Sequence, residues 1–188
     1  MRIIGCVGLI GSGKDTVIEH ISKQYGFEKI SVGDLVRNVA SKKNIIPTRD
    51  NLHKISMEYT EKHGVDYFIR QVVGRIRNEN LDRVTINGIR SPADVSILRS
   101  QFGENFTLIL IKTSDPKRRF ERLKKRNELR DPKTWKEFIR QERKEEEIYS
   151  LGETCRLADY TIVNDSELSD LIKEIDRILQ RILSQNQT

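Results

Sequence analysis

A glycine-rich turn near the amino terminus constrains the fold of this chain more than any other feature. The apolar run from Ile3 to Val7 predicts a short buried strand. The turn after it fits the phosphate-loop pattern G-x-x-x-x-G-K, in which backbone N–H groups curl around phosphate oxygens without a Cβ in the way. The loop consists of Gly8, Leu9, Ile10, Gly11, Ser12, Gly13 and Lys14. The pattern therefore predicts a polyphosphate site at the end of the first strand.

A helix is predicted directly after this loop. Apolar residues recur at helical spacing from Val17 to Tyr25, and Gly26 ends the pattern. The positive dipole end of this helix would point at the same anion, and Lys14 would reach its β and γ phosphates. Asp15 departs from the standard motif, which has Ser or Thr there, and Thr16 follows one place later.

The length and composition of the chain suit one soluble domain. With 188 residues, of which 33% are charged and 36% hydrophobic, it can build a single core. No apolar run reaches the length of a membrane span, about 18 residues, and the amino terminus lacks a secretory signal pattern. The two cysteines, Cys6 and Cys155, lie far apart, so we expect a reducing, cytoplasmic compartment.

The net charge of +6 is unevenly distributed. Between Lys112 and Glu145 there are 14 Lys or Arg against 7 Asp or Glu, which leaves the remainder of the chain close to neutral. Such a segment is typical of a nucleic-acid-binding surface, of a solvated helical face or of a clamp around a polyphosphate. The charge alone does not distinguish among these three possibilities. Solvated side chains are expected at Arg118, Arg119, Lys124 and Lys125.

Short apolar runs alternate with helical patterns along the rest of the chain. Further strands are predicted over residues 27–31, 83–87, 106–112 and 160–163. Helix starts are predicted at the cap-then-proline pairs Ser91-Pro92, Asp115-Pro116 and Asp131-Pro132. Other helices are predicted over about 50–62, about 66–78 and from Ser166. This alternation predicts an α/β fold in which helices cover both faces of a parallel sheet.

The carboxyl ends of these strands carry the informative polar residues, and ligands of a parallel sheet bind at that edge. After the glycine loop, the segments that fall there are Gly33–Arg37, Asn87–Arg90 and Asn164-Asp165. Arg37 and Arg90 follow different strands, so they are candidates to converge on a second phosphate. The planar fork of arginine suits that task because it makes two charge-assisted bonds at once.

Several of these motifs resemble those of the P-loop nucleoside monophosphate kinases. Gly8–Thr16 looks like their G-x-x-G-x-G-K-G-T loop, with Asp15 in place of a glycine. Val32–Arg37 is similar to their T-G-D-x-x-R motif, whose arginine grips the acceptor phosphate. Asn87–Arg90 resembles their D-G-F-P-R motif, with the arginine one place earlier.

Two further segments extend the resemblance. The basic residues from Arg122 to Arg126, with Arg130 and Arg143, are similar to the lid of adenylate kinases, and Ala158–Asp165 looks like the purine-side loop of dephospho-coenzyme A kinases. Over nearly its whole length the chain is most similar to a family of small, mainly archaeal, adenylate-kinase-like P-loop proteins. That resemblance does not settle a substrate.

The resemblance implies an architecture. It is a P-loop kinase three-layer sandwich with a five-stranded parallel sheet in the order 2-3-1-4-5. Residues 1–188 would form a single domain, with a helical acceptor-binding insertion over 38–80 and a short helical lid over 126–147. Trp135 and Phe138 are expected to pack this lid down.

The resemblance also implies roles for particular residues. ATP would bind to Gly8, Leu9, Ile10, Gly11, Ser12, Gly13, Lys14, Asp15, Thr16 and Asn164. The acceptor would bind to Asp34, Arg37 and Arg90. Catalysis would fall to Lys14, Arg122, Arg126 and Arg143. Thr16 and Asp34 would hold Mg²⁺ through water.

Asn87 is the weak point of this assignment. The family has an aspartate there that holds magnesium through water, whereas an amide is neutral and cannot offset the charge of the metal. Asp34 or Asp15 would supply the missing carboxylate, or the metal would rest on Thr16 and the phosphates alone, or catalysis would be impaired. We favour Asp34, because it lies at the end of a neighbouring strand.

The expected partners are ATP and a phosphorylated small-molecule acceptor, with no nucleic acid and no membrane, in a monomer or homodimer. The acceptor would be a nucleoside monophosphate or, as in dephospho-coenzyme A kinases, a ribose 3′-hydroxyl. A nucleotide-binding switch with weak ATPase activity is the main alternative, supported by Asn87. Nucleic-acid binding ranks last, because no stretch interleaves aromatic with basic residues.

Overall fold

The fold is organised around one parallel sheet. The computed structural model describes residues 1–184, so the last four residues of the expected domain lie outside it. The strands are β1 (Arg2–Val7), β2 (Glu28–Ser31), β3 (Arg83–Asn87), β4 (Phe106–Lys112) and β5 (Tyr160–Val163). Their order in the sheet is β2-β3-β1-β4-β5, and every pair is parallel. The predicted strands and the predicted sheet order are confirmed.

Helices connect the strands and cover both faces of the sheet. They are α1 (Lys14–Tyr25), α2 (Val32–Lys42), α3 (Arg49–His63), α4 (Tyr67–Asn78), α5 (Pro92–Phe102), α6 (Pro116–Arg126), α7 (Trp135–Tyr149), α8 (Leu151–Arg156) and α9 (Leu168–Ser184). Helices α1 and α9 share one apolar cluster with Ile4 and Cys6 of β1. Helices α4 and α5 share another with Ile3 and Val7, because successive side chains of a strand point to opposite faces. Across residues 1–184, no helix combines the length and apolar character needed to cross a bilayer.

Local capping explains where most helices begin. The side chains of Ser91 and Asp115 accept hydrogen bonds from the first turns of α5 and α6, each with proline at the start, as predicted. The predicted start at Asp131-Pro132 is wrong. Helix α7 begins instead at Trp135, because Thr134 and Glu137 form a reciprocal capping box.

Three helices fill the connection between β2 and β3. Helices α3 and α4 confirm the two predicted over residues 50–62 and 66–78, and α2 precedes them. Together they enclose a small apolar cluster of their own, formed by Val36, Ala40, Ile55 and Phe68. The other face of α4 packs into the main core, which fixes this helical segment to the sheet.

Helix α7 is attached to the rest of the protein by aromatic packing. Phe138 is fully buried and packs against Phe120 of α6, while Trp135 stacks on Phe138 from the solvent side. Ile10 of the glycine loop joins the same cluster. The expectation that Arg119 is solvated is wrong, because its guanidinium is buried above the ring of Phe138.

Phe138 is therefore expected to carry much of the stability of this region. Phe138→Ala should lower the free energy of unfolding by about 3–5 kcal/mol, because it removes a buried ring and leaves a cavity. Phe138→Leu keeps most of the apolar volume and should cost about 1.5 kcal/mol or less. Urea unfolding at equilibrium measures both. Equal losses for the two variants would show that this packing does not anchor α7.

Candidate active site

The glycine loop after β1 lies directly on neighbouring backbone. Gly8 and Gly11 have φ angles of 148° and 73°, in the region that favours glycine. A Cβ on Gly8 would come within 2.3 Å of the carbonyl oxygen of Ile111, and one on Gly11 within 2.6 Å of that of Arg119. Side chains are therefore excluded at both positions, which keeps the backbone N–H groups available to a ligand.

Asn164, which follows β5, is hydrogen-bonded to the same loop. It is buried, its Nδ2 donates to the carbonyl oxygen of Ser12 at 2.8 Å, and its Oδ1 accepts from Arg122 at 3.3 Å. A Cβ on Gly13 would lie 2.3 Å from that amide. Asn164, expected to bind ATP, thus also holds the shape of the glycine loop.

Lys14 begins α1 and folds back over the loop. Its ammonium donates to the carbonyl oxygens of Gly8 at 2.7 Å and Leu9 at 2.9 Å. Burial lowers the pKa of Lys14 to about 8. An anion at the loop would favour the charged form, so the side chain is placed to exchange these carbonyls for phosphate oxygens.

Asp15 connects three parts of the site. Its carboxylate accepts from Nδ2 of Asn87 at 2.6 Å and from Nη1 of Arg126 at 3.1 Å. It therefore joins the end of β3, the start of α1 and the end of α6. Asp34, favoured from the sequence as the magnesium carboxylate, accepts instead from Arg37 at 3.1 Å. The structure thus places Asp15, not Asp34, against Asn87.

The arginines expected from the lid pattern have different surroundings. Arg122 donates to Thr113 at 3.0 Å and Arg126 to the buried carboxylate of Asp131 at 2.5 Å, and both line the cavity around the glycine loop. Arg143 is exposed and is not among the described residues that line this cavity. Arg130, from the loop before α7, does line it.

Two cavities meet beside the glycine loop. The first, about 910 Å³, contains the loop, Lys14, Asp15 and Thr16. The second, about 920 Å³, lies between the α2–α3 helices and the end of α7, with an apolar wall that includes Met57 and Phe68. The wall shared by both cavities consists of Gly33, Arg37, Arg49, Gly88, Arg90 and Arg130. We call this set the shared wall.

Tight turns bring Arg37 and Arg90 to the shared wall. Gly88 has a φ of 85°, and a Cβ there would lie 3.3 Å from the backbone nitrogen of Gly33. Asp94 accepts from the backbone N–H of Arg90 at 3.0 Å, which fixes the loop between β3 and α5. Two arginines from separate segments therefore face the same space.

A buried ion pair beside the shared wall was not expected from the sequence. Glu145 of α7 accepts from Nη1 of Arg49 at 2.7 Å, and Arg90 lies 3.7 Å from the same oxygen. Burial opposes the ionisation of Glu145, but the two guanidinium groups outweigh it and hold its pKa well below the ordinary value. The contact joins residues 96 positions apart, so it cannot be predicted from a local sequence pattern.

The oxygen donors near the loop fit magnesium. Residues 1–184 contain no group of three or more acidic, His or Cys side chains of the kind that encloses a metal. Magnesium is usually bound by one or two protein oxygens together with substrate phosphates and water. The Asp15 carboxylate and the Thr16 hydroxyl, both exposed at the cavity of the loop, meet that requirement.

The sequence is related to known proteins over nearly its whole length. A protein-family profile described as an AAA domain matches residues 7–140. A UPF0200 protein of Pyrococcus horikoshii is 37% identical over 186 residues, which cover 97% of this chain and 98% of that protein. The chain belongs to the AAA domain family and to UPF0200. A second UPF0200 protein, from Pyrococcus abyssi, is 34% identical over 96% of this chain and 97% of its own.

Solved structures place the UPF0200 chain in a known fold. A gluconokinase from Sinorhizobium meliloti has a TM-score of 0.60 at 15% identity, covering 98% of this chain and 97% of its own. A shikimate kinase from Acinetobacter baumannii, solved in complex with shikimate, has a TM-score of 0.57 at 20% identity, covering 100% and 96%. At these identities the likeness concerns the fold, and it confirms the expected P-loop kinase architecture.

The close approach at Gly11 gives a prediction for this UPF0200 chain. Gly11→Ala should lower the free energy of unfolding by about 2 kcal/mol or more and abolish binding of a fluorescent ATP analogue, because the new methyl group collides with backbone. Gly74→Ala is the matched control. A Cβ there meets nothing within 4 Å, and the helical position should gain about 0.5–1 kcal/mol. Unchanged nucleotide binding in Gly11→Ala would contradict this reading of the loop.

Proposed function

We propose that this protein is an ATP-dependent phosphotransferase that acts on a phosphorylated, nucleotide-like acceptor. One observation carries the proposal: the cavity around the phosphate loop and the cavity beneath the α2–α3 helices meet at a wall with four arginines. Phosphoryl transfer requires two anionic reactants held in line and fixed positive charge where negative charge develops. The shared wall supplies that charge between two spaces of adequate size.

The first cavity is proposed as the ATP site. The loop offers backbone N–H groups at the start of a helix, where the dipole favours anions. Lys14 would move from the loop carbonyls to the β and γ phosphates. Arg122 and Arg126 line the same cavity and are proposed to neutralise the transferring group. Because Arg143 is exposed, Arg130 on the shared wall replaces it in this proposal.

The second cavity is proposed as the acceptor site. Its polar end is the arginine wall, which suits a phosphate, and its apolar side suits a base or another flat group. A nucleoside monophosphate would accept the phosphoryl group on its phosphate. A ribose 3′-hydroxyl, as in dephospho-coenzyme A, would require the phosphate of the acceptor to bind away from the reacting oxygen.

Magnesium is proposed to accompany ATP. Bound between the phosphates, it would offset negative charge on the β and γ oxygens. Thr16 and Asp15 are the residues of this chain that would hold it, and Asp15 replaces Asp34 because it contacts Asn87. The neutral amide of Asn87 donates to that carboxylate, so Asp15 at the start of α1 supplies a negative charge directly beside position 87.

A nucleotide-binding switch is the second candidate. It is favoured by the contact between Asp15 and Arg126, which already links the phosphate loop to the end of α6 without a ligand. Nucleic-acid binding has less support. In the basic segment, Arg119, Arg122 and Arg126 all donate to protein groups inside the molecule.

Acceptor-dependent formation of ADP tests the proposed function. The protein should release ADP from ATP and magnesium only when one member of a panel of nucleoside monophosphates and dephospho-coenzyme A is present. Lys14→Ala should reduce the rate by at least about a hundredfold, because a charge that stabilises the transferring group is lost. Lys117→Ala removes an exposed lysine of α6 and should leave the rate unchanged. ADP release that never depends on an acceptor would favour the switch.

The magnesium requirement distinguishes the two candidate carboxylates. Asp15→Asn should raise the magnesium concentration needed for half-maximal ADP formation by about 10–100-fold, as for other residues that hold a metal indirectly. Asp34→Asn should change the KM of the acceptor instead, because Asp34 orients Arg37. A raised magnesium requirement in Asp34→Asn, with none in Asp15→Asn, would show that Asp34 is the residue that holds magnesium.

A further inference from the structure

Glu145 lies beside two arginines of the shared wall and lines the first cavity. Its side chain is only 5% exposed, and it accepts from Arg49 at 2.7 Å with Arg90 at 3.7 Å. The guanidinium of Arg90 also lies over the ring of Tyr149, at 5.2 Å. Among the described residues, Glu145 is the only carboxylate within 4 Å of either guanidinium group, so one negative charge faces two positive ones.

A second unsatisfied group lies beside this cluster. His53 of α3 is 1% exposed and lines the second cavity, and within residues 1–184 neither of its ring nitrogens has a hydrogen-bond partner. Its Nε2 is 3.7 Å from Glu145, too far for a hydrogen bond. The two guanidinium groups and the unpartnered ring thus lie together where the two cavities meet, and both are features of a place that takes a polar ligand.

Glu145 also connects two helices that border the second cavity, α3 and α7. It lies on α7, whereas Arg49 begins α3, so their contact holds the two helices together. Asp50, the next residue of α3, contacts Lys144 at 2.8 Å and Arg140 at 3.1 Å. These outer pairs are partly exposed, so water and salt screen them. The buried Glu145 contact is therefore the main electrostatic tie between α3 and the end of α7.

We propose that Glu145 occupies, in the free protein, the binding site of the acceptor's phosphate, and that this phosphate binds between Arg49 and Arg90 by displacing it. The inference rests on the proposed function and names the chemical group that the second cavity recognises. A phosphate dianion forms paired bonds to two guanidinium groups, whereas Glu145 makes one close bond to Arg49. Displacement releases the end of α7, so acceptor binding and movement of this helix are coupled.

The same arrangement selects the class of acceptor. A carboxylate acceptor carries the charge of Glu145 but lacks its tether, and the tether gives Glu145 a high effective concentration at the two arginines. A dianion has the charge needed to overcome that advantage. The site therefore favours an acceptor that already carries a phosphate over one whose only anionic group is a carboxylate.

Removing the internal anion tests the proposal. Inorganic phosphate is titrated calorimetrically into the full chain carrying Lys14→Ala, so that the phosphate loop contributes little. Adding Glu145→Gln should tighten binding by about tenfold or more, because no carboxylate competes for the arginines. Glu153→Gln, an equal charge change at an exposed position of α8 outside both cavities, should alter affinity by less than about twofold. Equal or weaker binding in Glu145→Gln would show that Glu145 merely holds the arginines in place.

Hydrogen exchange keeps the test independent of the folding of that variant. In the Lys14→Ala chain, phosphate should increase backbone amide exchange over residues 140–149, because the tie to α3 is broken. Greater protection there would mean that phosphate adds to Glu145 instead of replacing it, which overturns the proposal. Failure of acceptor-dependent ADP formation is a separate result: it would remove the kinase function while leaving the competition between phosphate and Glu145 measurable.

Discussion

Close packing of the phosphate loop onto other segments is the constraint on which the rest of the structure depends. Gly8 lies against the backbone of Ile111 at the end of β4, and Gly11 lies against the backbone of Arg119 in α6. The loop therefore takes its shape from the edge of the sheet and from the helix that carries the basic segment. Ile10 extends that contact into the aromatic cluster beneath α7. The shape of the loop and the position of α7 are consequently linked through one small region of packing.

Three arginines of the basic segment are held in place by hydrogen bonds to other parts of the protein. Arg119 donates to the carbonyl oxygen of Ile10, Arg122 to Thr113, and Arg126 to Asp131. Each guanidinium is oriented by such bonds before any ligand binds, which reduces the reorganisation needed when negative charge arrives. Other basic residues of the segment are exposed, and the predicted solvation of Arg118, Lys124 and Lys125 is confirmed. Buried arginines also require acidic partners, and this requirement accounts for the carboxylates among these arginines.

Most of the fold could be predicted from local sequence signals, whereas contacts between residues distant in sequence could not. Short apolar runs and glycine spacing predicted the strands and the phosphate loop, the resemblance to P-loop kinases implied the order of the sheet, and the cap at Ser91 predicted the start of α5. The pair Asp131-Pro132 gave a wrong helix start, because Asp131 does not cap a helix. Its buried carboxylate accepts from Arg126 instead. The ion pair between Arg49 and Glu145 was not predicted, because it depends on how α3 packs against α7. The sequence of neither helix indicates that the two are in contact. Helix α8 is too short for periodicity to reveal.

The central claim is that two anionic ligands meet at the shared wall, and a structure with a bound nucleotide tests it most directly. Crystals would be grown with magnesium and an ATP analogue that cannot transfer its terminal phosphate. We predict that the phosphates lie along residues 8–16, with the terminal phosphate directed to the wall lined by Arg37, Arg49, Arg90 and Arg130. A triphosphate bound elsewhere, or a terminal phosphate directed away from this wall, would contradict the account.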